Sequence, residues 1–409
     1  MAAKILSVAF QLNNSTGNQD ITIAGIGGET VKAARFFACT APAQNANSPN
    51  WYNSIGFTDG TNQFQINAYN KDAVTTTVAK RACNNDAVIF LKLFGGAVRA
   101  KASFVAFIAN GIRINVTTAP AAPIWCIVQL FAGADITAKV DSFIPNATQD
   151  LSVTPSVGFQ ADIVYMASAD NGRTDTQTSY IINSFGAAVR GGSQGSVMHN
   201  CANGQTTTSD SGNTANNRVV QDNNATYEIT AFGATDFTIY TRDAAPSANH
   251  YLGYLAIKIA NGSVALKFID GATSNGNKAY TGAGFLPTAV EVFGNQAAAY
   301  NTNYTTGEVA TMFDYIVDGN DENSILWGEQ DAVTTSNTFV RQQSGSLYHL
   351  DENQALQHQA TWVSFDADGM TLNYSTSNGT ARKFIAIYIE DSPALSIVPI
   401  LNTYKQRRK

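Results

Sequence analysis

What most limits the folds open to this chain is a long pattern that it states three times. The clearest copy is Phe365 to Ile389, FDADGMTLNYSTSNGTARKFIAIYI. Phe365, the turn Asp368-Gly369-Met370 and the alternating Thr371-Leu372-Asn373-Tyr374 read as a turn feeding a half-buried strand. Asn378-Gly379 predicts a hairpin, because a type I′ turn needs positive φ at both central residues. Phe384 to Ile389 is apolar on both faces, as an inner strand of a two-layered sheet structure is. The pattern also occurs as Phe232-Gly-Ala-Thr-Asp236-Phe237-Thr-Ile-Tyr240, followed by Tyr251 to Ile257. It occurs again as Phe104-Val-Ala-Phe107 and Gly111 to Val116, followed by Ile124 to Leu130.

The spacing makes this a repeat of whole domains. Phe104 and Phe232 lie 128 residues apart, and Phe232 and Phe365 lie 133 apart. Two further landmarks keep the same order. Asp72-Ala-Val-Thr-Thr-Thr77 returns as Asp331-Ala-Val-Thr-Thr-Ser336, with a weaker Gln205-Thr-Thr-Thr-Ser209 between them. Gly158-Phe-Gln-Ala-Asp-Ile-Val-Tyr165 matches Gly284 to Val292 and, more loosely, Gly28 to Phe36. A period this long, well above the 20–50 residues of solenoids, gives each copy room for its own core. The polar joins Pro145–Asp150 and Gly271–Asn277 then place the copies at 1–144, 151–271 and 278–409. The expected fold is all-β: three tandem antiparallel β-sandwiches, jelly-roll-like. The polar run Asn200 to Asn217 reads as an exposed loop. Leu350 to Ala360 is the one modest helix candidate.

Composition agrees. Charged residues make up 14% of the chain, against about 25% in an average protein. Thirty-two glycines, ten prolines and 44% apolar residues suit a turn-rich β protein able to fill cores. A net charge of −6 argues against a nucleic-acid groove, which wants a basic face. No apolar run reaches the 18 residues of a membrane span, and the short run Ile5 to Phe10 is not a signal peptide. Synthesis in a cytoplasm is therefore expected. The four cysteines, at 39, 83, 126 and 201, share no position between copies and read as buried free thiols.

Chemistry is sparse. Gly191-Gly-Ser-Gln-Gly195 matches G-x-S-x-G, with His199 and His250 downstream, but lacks the strand and helix that a nucleophile elbow needs. In the repeat it falls where the other copies carry the turns Asp59-Gly60 and Asp318-Gly319, so no enzyme is expected. The acidic run Asp318 to Asn323 lacks EF-hand spacing and reads as a solvated turn. No cysteine or histidine spacing indicates zinc, and no cofactor is expected. Trp51, Tyr69 and Trp327 lie near variable loops and are the candidates for a ligand-binding aromatic platform.

The third copy, Gly284-Phe-Leu-Pro-Thr-Ala-Val with Val363-Ser-Phe-Asp-Ala-Asp-Gly-Met-Thr-Leu-Asn-Tyr and Phe384-Ile-Ala-Ile-Tyr, resembles a repeat of virion-associated proteins of tailed bacteriophages and prophages. Such repeats read GF-x-P-x-x-V, then SFDSDGFTLNW, then a closing YLAL strand. The second copy matches in part. In the first, Lys32 replaces the proline and Asn110-Gly111 the Asp-Gly pair. The resemblance implies a structural virion protein on the particle surface, a capsid decoration or spike, or else a tail or fibre component. The alternative class is a receptor- or glycan-binding adhesin. Partners are expected to be other virion proteins and further copies of the chain, a trimer above all because coats are symmetric. A host-surface glycan is the remaining candidate. The segment after Asp391, with Leu395, Ile397, Ile400, Leu401 and the basic Arg407 and Arg408, is the expected assembly contact.

Overall fold

The computed structural model describes residues 3–221, 225–243, 250–304, 308–319, 321–350 and 354–391. Among them the protein is all-β. The strands form six antiparallel sheets, and the helical content is one 3-10 turn, Ala24–Ile26. No helix among the described residues is long and apolar enough to cross a membrane.

Each copy contributes ten strands in one order. In the first copy these are Lys4–Leu12, Gly17–Thr22, Val31–Cys39, Trp51–Thr58, Gln63–Asn70, Ala79–Asn84, Ile89–Lys92, Val98–Ile108, Gly111–Thr118 and Ile124–Ala132. The large sheet takes the first, tenth, third, fourth, fifth and sixth strands. The small sheet takes the second, ninth, eighth and seventh. The second and third copies repeat that order. Each copy is jelly-roll-like in facing one antiparallel sheet with another, but its order is two meanders closed by the returning tenth strand.

These pairings move the copy boundaries. Ile136–Phe143 pairs with Leu252–Ile259, and Ser263–Asp270 with Lys383–Glu390, so each opens the next copy instead of closing the previous one. The joins therefore lie near 133–135 and 260–262. The polar stretches at 145–150 and 271–277 carry the chain from large to small sheet inside a copy. Ile5 to Phe10 is likewise a sheet strand, paired with Ile124–Ala132.

Other expectations change for physical reasons. Asn378-Gly379 has its left-handed glycine, φ 81°, yet the strands beside it pair in different sheets, so it is a sheet-to-sheet bend. The hairpin of that copy turns at Asp366 to Gly369. Phe365 faces Met370 as Phe232 faces Phe237 and Phe107 faces Ile112, so Phe107, not Phe104, holds the repeated position. The helix candidate is instead the start of a strand, Leu356–Asp366, where buried His358 and Ala360 alternate with Gln357 and Gln359. The expected loop at 200–217 instead begins in the strand Gln194–Cys201 and contains the largely buried strand Asp210–Ala215; only 204–207 is a run exposed throughout.

Each large sheet is covered on both faces, which explains its unbroken apolar runs. One face packs on its own small sheet. In the first copy Phe36, Ala38 and Val128 meet Ile89, Leu91, Ile112 and Ile114. The opposite face turns to a core shared by all three copies, with Phe37, Phe57 and Phe64 beside Tyr165, Phe185 and Leu255 and beside Phe293, Trp327 and Ile385. The four cysteines are buried and free.

Two contacts go round the molecule in a closed cycle, and a third joins two of its three junctions. First, the segment between third and fourth strands caps the sixth-strand edge of a neighbour. Ser48–Pro49 pairs with Thr338–Ser344, Thr174–Ser179 with Ala79–Asn84, and Tyr304 bridges Gly212. Sheet edges that would invite other chains are thus covered from within. Second, the three Thr-rich landmarks bond in a ring. Val74 N–H donates to Ser336 Oγ (3.1 Å), Val333 N–H to Thr208 Oγ1 (2.9 Å) and Gln205 N–H to Thr77 Oγ1 (2.9 Å). Third, a turn of one copy grips the first strand of another: Asp59 Oδ2 accepts Val140 N–H, and Asp318 Oδ2 accepts Ser7 N–H and Oγ–H.

The shared core is not threefold in its side chains. Gly28, Gly158 and Gly284, all with positive φ, align the third strands, and seven residues on stand Arg35, Tyr165 and Glu291. All three are buried and meet one another. Arg35 Nη2 lies 2.9 Å from Glu291 Oε2 and 3.0 Å from Asp314 Oδ2, while Tyr165 donates to Glu291 Oε1 at 2.9 Å. The Arg35 guanidinium lies 4.5 Å from the centre of the Tyr165 ring. Position by position, the repeat has become a cation, a phenol and an anion.

Candidate functional site

The fifth strands run from a tight turn at one end of the molecule to the Thr-rich ring at the other. At the turn end a recess opens in the third and second copies, between the fourth-to-fifth-strand turn and the last residues of the eighth strand. In the third copy Leu286, Pro287, Thr288, Asp318, Gly319, Trp362, Val363, Ser364 and Phe365 line a cavity of about 590 Å³. A second recess of about 360 Å³ adjoins it across Trp362, over Asp321, Glu322 and Gly345. In the second copy the recess is smaller, about 320 Å³, between Val189–Gln194 and Ile229–Phe232. In the first it is closed: Phe107 sits so near Gly60 that a Cβ there would approach its ring to 2.7 Å.

Local chemistry builds the third-copy recess. Asp368 accepts Gly284 N–H (2.6 Å) and Gly282 N–H (3.0 Å), which fixes the entry to Leu286-Pro287. Asp366 accepts Ser364 Oγ–H (2.8 Å) and Thr371 Oγ1–H (2.7 Å), holding the hairpin that carries Phe365. Glu322 accepts Trp362 N–H (2.9 Å) and the Tyr315 hydroxyl (2.8 Å), and burial raises its carboxyl above the usual range. Leu286 and Val363 are about half exposed, at 52% and 45%. The result is an open apolar cleft with a polar floor. It can hold an apolar side chain or a short segment of a partner, and no nucleophile–base pair lines it.

The residues singled out in the sequence fall elsewhere. Trp51 and Trp327 do come together, stacked 5.7 Å apart, but both are buried in the shared core with the His199 ring 4.3 Å from Trp51. Tyr69 is buried against Tyr52 and Phe94. No exposed platform forms from these three, because the loops near them are folded into the inter-copy cycle. Gly191 to Ser193 is a hairpin turn, Gly192 N–H to Val189 O, and Gln194-Gly195 opens the strand after it, as its place in the repeat implies. His199 is far along that strand and bonds Thr311, and His250 bonds Asp170. The acidic turn at 318–323 is not simply solvated: Asp318 and Asp321 bind the backbone of Ser7 and Ala9. Leu395, Ile397, Ile400, Leu401, Arg407 and Arg408 lie outside the described residues. Sequence reasoning missed Trp362, Val363 and Leu286. The available signal was Trp362-Val363, two consecutive large apolar residues in a strand that otherwise alternates. Metal-ligating side chains converge at the opposite end, beneath the Thr-rich ring, at Cys201, Asp210 and Glu329.

The chain matches no family model, no curated protein and no solved structure.

Proposed function

We propose that this chain is a structural protein of a tailed-bacteriophage particle, made in the host cytoplasm and displayed on the virion as a capsid decoration or spike, or else as part of the tail or a fibre. One observation carries the reading. Motif positions of the phage-like repeat, Pro287, Ser364 and Phe365, line the exposed apolar cleft, and two more, Gly284 and Asp368, fix its entry. Beside them Leu286 and Val363 keep large apolar side chains about half exposed, as a docking surface does. Other virion proteins are the partners that fit it.

A trimer of separate chains is not required to cover the sixth-strand edges. Closed threefold contact is already made inside one chain, and the sixth-strand edges of the three large sheets are met from within. The reading is therefore of a single chain in solution that gains partners on the particle. A proteomic inventory of purified particles, joined to binding of the purified chain to particles lacking it, tests this. Leu286→Asp with Val363→Asp should abolish binding while leaving the thermal midpoint within a few degrees. Absence from particles, together with binding to host glycans through Trp362 and Phe365, would favour the adhesin instead.

A further inference from the structure

The ring of Thr-rich loops marks three equivalent positions. Ser336 Oγ, Thr208 Oγ1 and Thr77 Oγ1 donate to the carbonyls of Lys71, Gln330 and Ala202. The residue before each carbonyl is Asn70, Glu329 and Cys201, so these three are equivalents, and they converge. The Asn70 amide donates to Glu329 Oε2, and Asp210, paired in register with Cys201, completes the group. One ligand atom each from Cys201, Asp210 and Glu329 lies within 4.8 Å of the others. Donors that share one ion at bonds of about 2.0–2.3 Å lie up to about 4.6 Å apart, so this spacing is close to that of a single-ion site.

Two observations point to an occupant. Glu329 is 0% and Asp210 4% exposed, yet Glu329 Oε1 and Asp210 Oδ2 meet only the Cys201 thiol and each other, with no backbone, amide or cationic donor. Buried carboxyl groups that face only other acidic groups are costly. The charged or titrating groups that act on the cluster are its own members and Asp331, all acidic, with no Lys or Arg among them.

We propose that Cys201, Asp210 and Glu329 form a structural site for a divalent transition metal, zinc by the thiolate-plus-carboxylate donor set, which ties the second copy to the third beneath the ring. The ion would bind on folding, since no donor reaches solvent.

The test uses the full chain refolded with zinc and dialysed, then read by elemental mass spectrometry, with a parallel sample refolded in cobalt(II). Equimolar zinc, a near-ultraviolet sulfur-to-cobalt charge-transfer band, and loss of both in Cys201→Ser are the expected results. Asp210→Asn and Glu329→Gln should each weaken zinc retention at least about tenfold, as loss of a ligand or its support does. Should a variant fail to fold, the wild-type cobalt spectrum decides alone. Zinc no higher than in Cys201→Ser, or cobalt bound without the sulfur band, overturns the assignment.

Discussion

Gly253 is held to glycine by one neighbour. A Cβ there would sit 1.9 Å from Cδ1 of Phe64, which belongs to another copy. At the next junction the sizes are exchanged: a Cβ on Gly195 would approach Ile385 Cδ1 to 2.7 Å. Registers of the third and tenth strands (Tyr165 with Leu255, Glu291 with Ile387) make Gly253 and Ile385 equivalent. Large thus meets small in opposite senses at successive interfaces. Gly253→Ala should cost about 1–3 kcal/mol by overpacking. Phe64→Ala should cost about 3–5 kcal/mol, and the double variant less than the sum, as urea denaturation would show. Arg35 is a second such residue. Replacing it by Met leaves Glu291 and Asp314 buried without their cation, for an expected loss of about 3–5 kcal/mol in the same assay. His199 gives a pH signature. Burial lowers its imidazole from 6.5 to about 3, so the neutral ring favours the fold above pH 6.5 and that stability is lost as pH falls towards 3. Against His199→Phe, the native chain should lose up to about 1.4 kcal/mol more per pH unit in that window. An unchanged difference between the two at every pH would show that the ring titrates freely.

At the scale of elements, the ring of Thr-rich loops invites a series. Ser336→Ala removes the acceptor for Val74 N–H and the donor to Lys71 O. The expected cost is about 1–3 kcal/mol, and Thr77→Val and Thr208→Val should match it in sign. A neutral result at one of the three would break the equivalence drawn between them. The sequence made the strands legible where one face only is buried, as in Gly369–Ser377 with its alternating Leu372 and Tyr374. It also made the repeat and the apolar tenth strands legible. It misled where burial is polar. Asp210–Ala215 reads as a loop because its partners are polar too: Thr214 donates to Asn295 and Asn213 to Asn303. Asn378-Gly379 carries the local signal for a turn but none for which sheet the chain enters next. The cleft was half legible: the motif residues stood out, but their convergence on one recess depends on Asp368 reaching back to Gly284, 84 residues away.

For the whole molecule, a cycle has no privileged starting point. Asp391 accepts a bond from the backbone of Ile5, so the described ends of the chain lie together. A permutant joining Asp391 to Ala3 through a three-residue bridge, and opened between Gly133 and Ala134, should fold to one monodisperse species. Its single melting transition should fall within a few degrees of the parent's. Aggregation or two separated transitions would mean that the copies are independent beads and not a closed ring. The shared core also fixes what the molecule can no longer be. Three separate identical subunits must repeat one letter on their common axis, and three guanidiniums or three carboxylates could not be packed together dry. A single chain writes each letter once, and Arg35, Tyr165 and Glu291 have used that liberty. The joins at 133–135 and 260–262 are therefore irreversible in the language of genes: cut there, no one third could multiply itself into the whole.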